Sequence, residues 1–142
     1  MKLIISICLV FALAVCVGAT EIQPLAMNNR AIGGGALNSY TLGVEDGAGL
    51  NNIGLLIKVW GEVTAVDTTN SLFYINDGSN LSDGSGYTGV RVSYGSLASG
   101  NTITPPSVGD HVTVVCISST VAINSVIRPN LRPRQQSDID IF

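Results

Sequence analysis

Between Ile53 and Pro133 the chain is a series of short runs with alternating polarity, separated by turns rich in Gly, Asn and Asp. No helical period persists anywhere in that stretch, which leaves β-strands as the repeating unit. In "LLIKVWGEVTAVD" (55–67), Ile57, Val59 and Val63 share one face, and Lys58, Trp60 and Glu62 share the other. The turn "DTTNS" (67–71) leads back into "LFYIN" (72–76), and the loop "DGSNLSDGSG" (77–86) precedes "TGVRVSYG" (88–95). A fourth strand is "HVTVVCIS" (111–118). A fifth starts at Val121 and is ended by Pro129 and Pro133, which cannot donate to a ladder. Gly61 is the expected bend or bulge of the long first strand. Five strands and no helix predict an all-β fold, a small closed or nearly closed barrel over residues 53–134.

The flanks are of a different kind. Residues 1–19 place Lys2 ahead of an uncharged apolar run, with Val17, Gly18 and Ala19 at its end, the pattern of a cleaved signal peptide. The predicted location is therefore secreted or at the cell surface, with no membrane span once the leader is removed. Residues 20–52 are rich in Gly and Asn and are broken by "GGG" at 33–35, so they read as an irregular N-terminal arm. Ile32, Leu37, Tyr40 and Leu42 give that arm more apolar matter than a free linker needs, so it lies against its own barrel or a neighbouring copy. It could also cover Trp60. Residues 135–142 form an extended tail in which Asp138 and Asp140 alternate with Ile139 and Ile141. Such a tail either folds back onto the barrel or adds a strand to a neighbour.

The motifs "VWGEVTAVD", "FYINDGS", "GVRV" and "VGDHVTVVCIS" resemble the OB-fold (oligonucleotide/oligosaccharide-binding-like) domains of exported bacterial proteins. Gly61, Phe73, Ile75, Asp77, Val90, Val92, Gly109, Asp110, Val112 and Val114 take the places of that pattern. The resemblance implies a five-stranded OB-like Greek-key barrel. It departs from the pattern in "SLASGNTITPPS", which reads as loop where many such barrels carry a helix. It also implies a binding surface on the outer face of the first three strands. Alternation places Lys58, Trp60, Tyr74 and Arg91 on that face, edged by Glu62 and Tyr87. The predicted ligand-binding residues are thus Trp60, Tyr74, Arg91, Lys58 and Tyr87. Aromatic faces can stack on a partner, and arginine supplies a planar donor fork. The bland alternative makes Tyr74 and Arg91 an ordinary cross-strand pair.

Other chemistry finds little support. The chain has 7 basic and 10 acidic residues, a net charge of −3, and loss of the leader with Lys2 makes it more negative. That balance argues against a phosphate-backbone partner and ranks nucleic acid last. Arg128, Arg132 and Arg134 in "RPNLRPR" are expected to pair internally and meet solvent, with contact to an acidic partner or a phosphate as the alternative. Asp77 and Asp83 lack the register of a calcium loop, and turn chemistry accounts for them. Outside the leader only Cys116 and His111 remain of their kinds: Cys116 reads as a buried strand residue and His111 as a strand end meeting water. No nucleophile–base pair, metal site or cofactor site is expected, so the reading is a non-enzymatic binding module. Its partner would be an extracellular glycan or protein, or, as an alternative, copies of itself joined through arm and tail.

Overall fold

A computed structural model describes residues 22–142, and the predicted leader lies outside them. The described chain is all-β. Seven strands form one mixed sheet: β1 (Leu25–Ala26), β2 (Leu56–Asp67), β3 (Leu72–Asn76), β4 (Val90–Ser93), β5 (His111–Ile123), β6 (Val126–Arg132) and β7 (Ile139–Ile141). The hydrogen-bonded order is β1-β2-β3-β4-β6-β5-β7, with β2 also pairing to β5. The ladders thereby form a circuit. The first half of β2, Leu56–Glu62, runs antiparallel to β5, and the second half, from Glu62 to Asp67, runs antiparallel to β3.

The inward faces meet the alternation expected of them. Ile57, Val59 and Val63 of β2, Phe73 and Ile75 of β3, and Val90 and Val92 of β4 are buried in one apolar cluster with Val112, Val114, Cys116 and Leu131. Lys58, Trp60 and Glu62 point the other way and are exposed. Burial of each such side chain contributes about 1.5–3 kcal/mol, so the period-2 pattern is the chief specification of the sheet.

Three local expectations are revised. Gly61 pairs regularly with Val112, and the irregularity of β2 lies between Val63 and Ala65. The glycine is needed for another reason: a Cβ there would sit 2.8 Å from the Asn76 carbonyl carbon. The strand predicted from Val121 is the end of β5, because Asn124 and Ser125 both adopt left-handed backbone (φ 51° and 65°) and close a tight hairpin into β6. Pro129 does not stop that strand; it pairs opposite Thr120, at a position where β6 has no β4 neighbour to satisfy.

The N-terminal segment lies on its own chain in part: Ile32 is buried, but Leu37, Tyr40 and Leu42 are exposed. β1 adds to β2 in parallel, at Leu25↔Ile57 and Ala26↔Lys58. Ile32 is buried in the core cluster, and Asn52 holds the segment around it. The Asn52 Oδ1 accepts from the Gly33 N–H and the Ser118 hydroxyl, both at 2.8 Å, while its Nδ2 donates to the Ala31 carbonyl at 2.6 Å. The "GGG" run is part of this seat, because a Cβ on Gly34 would lie 2.1 Å from the Leu50 carbonyl oxygen. The tail also returns to its own chain: β7 pairs antiparallel with β5, and Ile139 is buried. A bidentate contact from Arg134 to the buried Asp138 carboxylate (2.7 and 3.0 Å) fixes the turn before it.

Candidate functional site

Side-chain parity puts Trp60, Tyr74 and Arg91 on outward faces, but register along the strands decides which of them meet. Tyr74 stands opposite Arg91 on β4 and Ala65 on β2. Trp60 lies five residues further along β2, about 16 Å at the rise of a strand. There the neighbour is Thr113 of β5, because β3 ends its pairing at Asn76↔Glu62. The single patch expected from the sequence is therefore two separate places.

The first place is a polar network beneath an exposed Tyr87. Tyr74 is 0% exposed. Its ring is covered by Tyr87 (centroids 5.0 Å apart), and the Arg91 guanidinium lies 5.6 Å from its centre. Its hydroxyl donates to Asp83 Oδ2 at 2.9 Å, and the same oxygen accepts from Arg91 Nε at 3.2 Å and Nη2 at 3.0 Å. Burial pushes the Asp83 carboxyl up, but hydrogen bonds from Ser85 and Tyr74 and the Arg91 charge reverse this and leave it below the ordinary carboxylate range. Burial likewise raises the Tyr74 phenol above its ordinary value. Tyr74 and Arg91 are thus committed to Asp83, and Tyr74 is not the open contact residue expected of it. The remaining Asp83 oxygen accepts from the Ser85 N–H at 2.9 Å. Asp77 is engaged elsewhere: it accepts from the Ser79 N–H at 3.0 Å and, across 48 residues, from the Asn29 N–H at 2.8 Å. The repeated Asp-Gly-Ser turn was a usable signal here, since each leaves one carboxylate oxygen free for a partner outside the turn.

The second place is open. Trp60 is 52% exposed and lies in a shallow groove with Ala26, Met27, Lys58, Thr113 and Phe142. The arm flanks the indole at Ala26 and Met27 without covering it. Phe142, 73% exposed, is positioned by its N–H donating to the His111 carbonyl at 3.0 Å, and its ring lies 6.4 Å from the His111 ring. Sequence reasoning missed Phe142, since nothing in the tail's alternation says which edge it joins. Lys58 stays beside Trp60, so Lys58 and Trp60 form one group and Tyr74, Tyr87 and Arg91 the other.

No family model, curated protein or solved structure matches this chain. Its residues alone must carry the functional reading. Cys116 lies in the core, where burial pushes the thiol up to about 12, and His111 is exposed at a strand end. Of Arg128, Arg132 and Arg134, the described residues pair only Arg134 with a carboxylate, that of Asp138, while Arg132 donates to the Gly95 carbonyl at 2.9 Å. Among the described residues no helix is long and apolar enough to cross a membrane.

Proposed function

We propose that this chain is an exported, non-enzymatic binding module, an OB-like barrel that takes a glycan across the groove at Trp60. The strand circuit β2-β3-β4-β6-β5 with return to β2 supports the barrel reading. The observation that carries the function is the half-exposed indole between the β1 edge and Phe142. A large aromatic face left open beside a second exposed ring is a contact surface rather than packing. Lys58 is the one base along the groove, and Glu62 and Asp140 stand close by in register (Glu62↔His111, Thr113↔Asp140). That balance favours the uncharged C–H face of a sugar over a phosphate backbone.

Trp60 is the only tryptophan, so its fluorescence reports on the groove directly. Titration with cello-, xylo- and chito-oligosaccharides is expected to protect it from acrylamide quenching, and Phe142→Ala to abolish that protection. Oligothymidylate is expected to give none. Protection by oligothymidylate, or by no glycan, refutes the reading.

A second reading, self-assembly, has one observation in its favour: β7 pairs with β5 on one side, and Ile141 and Phe142 remain exposed at its edge. Sedimentation velocity tests it. A monomer at all concentrations, unchanged by Ile141→Lys, removes it.

A further inference from the structure

We infer that copies of this chain join head to tail, the free edge of β7 in one copy pairing in parallel with the free edge of β1 in the next. The inference rests on the self-assembly reading above, not on the glycan reading, and adds to it a partner edge, a direction and a register.

β1 and β7 are the two outermost strands of the described sheet. Such edges are templates for a further strand. The direction follows from the ladders. β1 is parallel to β2, β2 is antiparallel to β5, and β5 is antiparallel to β7, so β1 and β7 run the same way. A neighbour in the same orientation therefore brings its β1 alongside β7 as a parallel pair.

The hydrogen-bonding phase of each edge fixes the register. On β7 the Phe142 N–H donates to the His111 carbonyl, with Ile141 opposite Val112. Asp140 therefore exchanges bonds with Thr113, and Ile139 and Ile141 turn their backbone groups away from β5. The Ile139 N–H is taken by the Gln136 carbonyl, which leaves the Ile139 carbonyl and the Ile141 N–H facing outward on either side of Asp140. On β1 the Met27 N–H donates to the Lys58 carbonyl, so the N–H and carbonyl of the exposed Ala26 face away from β2. These edges match. Ala26 of the next copy donates to the Ile139 carbonyl, accepts from the Ile141 N–H, and stands opposite Asp140.

The side chains agree with that register. Asp140 and Ala26 share the outer face, and Lys58 is the neighbour of Ala26 on β2. Asp140 of one copy then lies two strand spacings, about 10 Å between backbones, from Lys58 of the next, with only the Ala26 methyl between them. Among the described residues neither Lys58 nor Asp140 has an ion-pair partner within its own chain. On the opposite face the exposed Ile141 and Leu25 come together. The two-fold alternative, β7 against β7, sets Asp140 against its own copy, and like charges directly opposite destabilise a strand pair. Because β7 meets β1 rather than itself, the contact does not close at a dimer and propagates from copy to copy.

Sedimentation velocity of the purified protein tests this with two charge reversals, Asp140→Lys and Lys58→Asp. Wild type is expected to form species beyond the dimer as concentration rises. Each variant alone is expected to associate about tenfold more weakly at low salt. An equimolar mixture of the two is expected to recover wild-type association, since each supplies the charge that the other's free edge lacks. Cross-linking gives a readout independent of charge: when Ala26→Cys and Asp140→Cys proteins are mixed and oxidised, the mixed dimer is expected to exceed both homodimers combined. A wild type that stays monomeric at all concentrations overturns self-assembly and this inference with it. Association that ignores both reversals, that does not recover in the mixture, or that favours either cysteine homodimer overturns the β7–β1 pairing alone and leaves self-assembly standing.

Discussion

Removing the Asp83 carboxylate gives the sharpest test of how the outer face of β3 and β4 is held. In the folded protein that group takes the Tyr74 hydroxyl, two Arg91 nitrogens and the Ser85 N–H, with side-chain exposures of 5% for Asp83 and 17% for Arg91. Asp83→Ala strands a buried phenol and a mostly buried guanidinium. Breaking such a pair costs about 3–5 kcal/mol. Arg91 retains some water, so the lower end, about 3 kcal/mol, is expected. Tyr74→Phe removes one charge-assisted hydrogen bond and leaves Asp83 otherwise served, costing about 1.5–2 kcal/mol. In the Asp83→Ala background the phenol has already lost its acceptor, so Tyr74→Phe should then cost under about 0.5 kcal/mol, a coupling of about 1–1.5 kcal/mol. Urea unfolding followed by Trp60 fluorescence measures all four proteins. At a urea slope of about 1.5 kcal/mol/M the Asp83→Ala midpoint falls by about 2 M. The sign of the pH dependence follows from the depressed Asp83 value. Its contribution is complete above the unfolded carboxyl pKa, about 3.9, and is lost as pH falls through the lower folded value. The gap between Asp83→Ala and wild type should therefore narrow in strong acid, by the share that belongs to the ionised carboxylate. Additive costs, or a gap that does not narrow at all in strong acid, would refute the network.

Three further outcomes are expected. Cys116, pushed up to about 12 in the core, should be inert to thiol reagents at pH 8 until urea unfolds the protein; labelling at the rate of an exposed thiol would contradict its placement. Gly89→Ala places a Cβ 2.2 Å from the Ile75 carbonyl oxygen at φ +112°, so calorimetry should show a loss of at least about 2 kcal/mol or failure to fold. Asp138→Asn weakens the Arg134 contact, and hydrogen exchange should rise first at the β7 amides, well before those of β2.

Much of the sheet was legible, because alternation is a direct imprint of burial on one face. Residues 72–76 needed no revision, and β2 begins only one residue later than the run read from Leu55. What alternation cannot report is height along a strand. Parity alone joined Trp60 to Tyr74, yet the turn after Asp67 pairs Asp67 with Leu72 and so Tyr74 with Ala65, which pushes Trp60 beyond the end of "LFYIN". That count was available from the sequence once the hairpin was assigned. The hairpin at Asn124–Ser125 was harder, since left-handed backbone there is not marked by glycine. The seats of Asn29 and Asn52 were hidden for another reason: each bonds across long stretches of chain, and local pattern says nothing about partners so distant.

The seating of the N-terminal segment also sets an order of events in folding. The Glu45 N–H donates to the Ile127 carbonyl and Asn52 takes the Ser118 hydroxyl, so the stretch synthesised early has anchors synthesised late. Closing such distant contacts is entropically slow. A nascent chain of this kind completes its N-terminal seat only when its last strands emerge, and deleting β6 would remove the Ile127 carbonyl on which Glu45 rests.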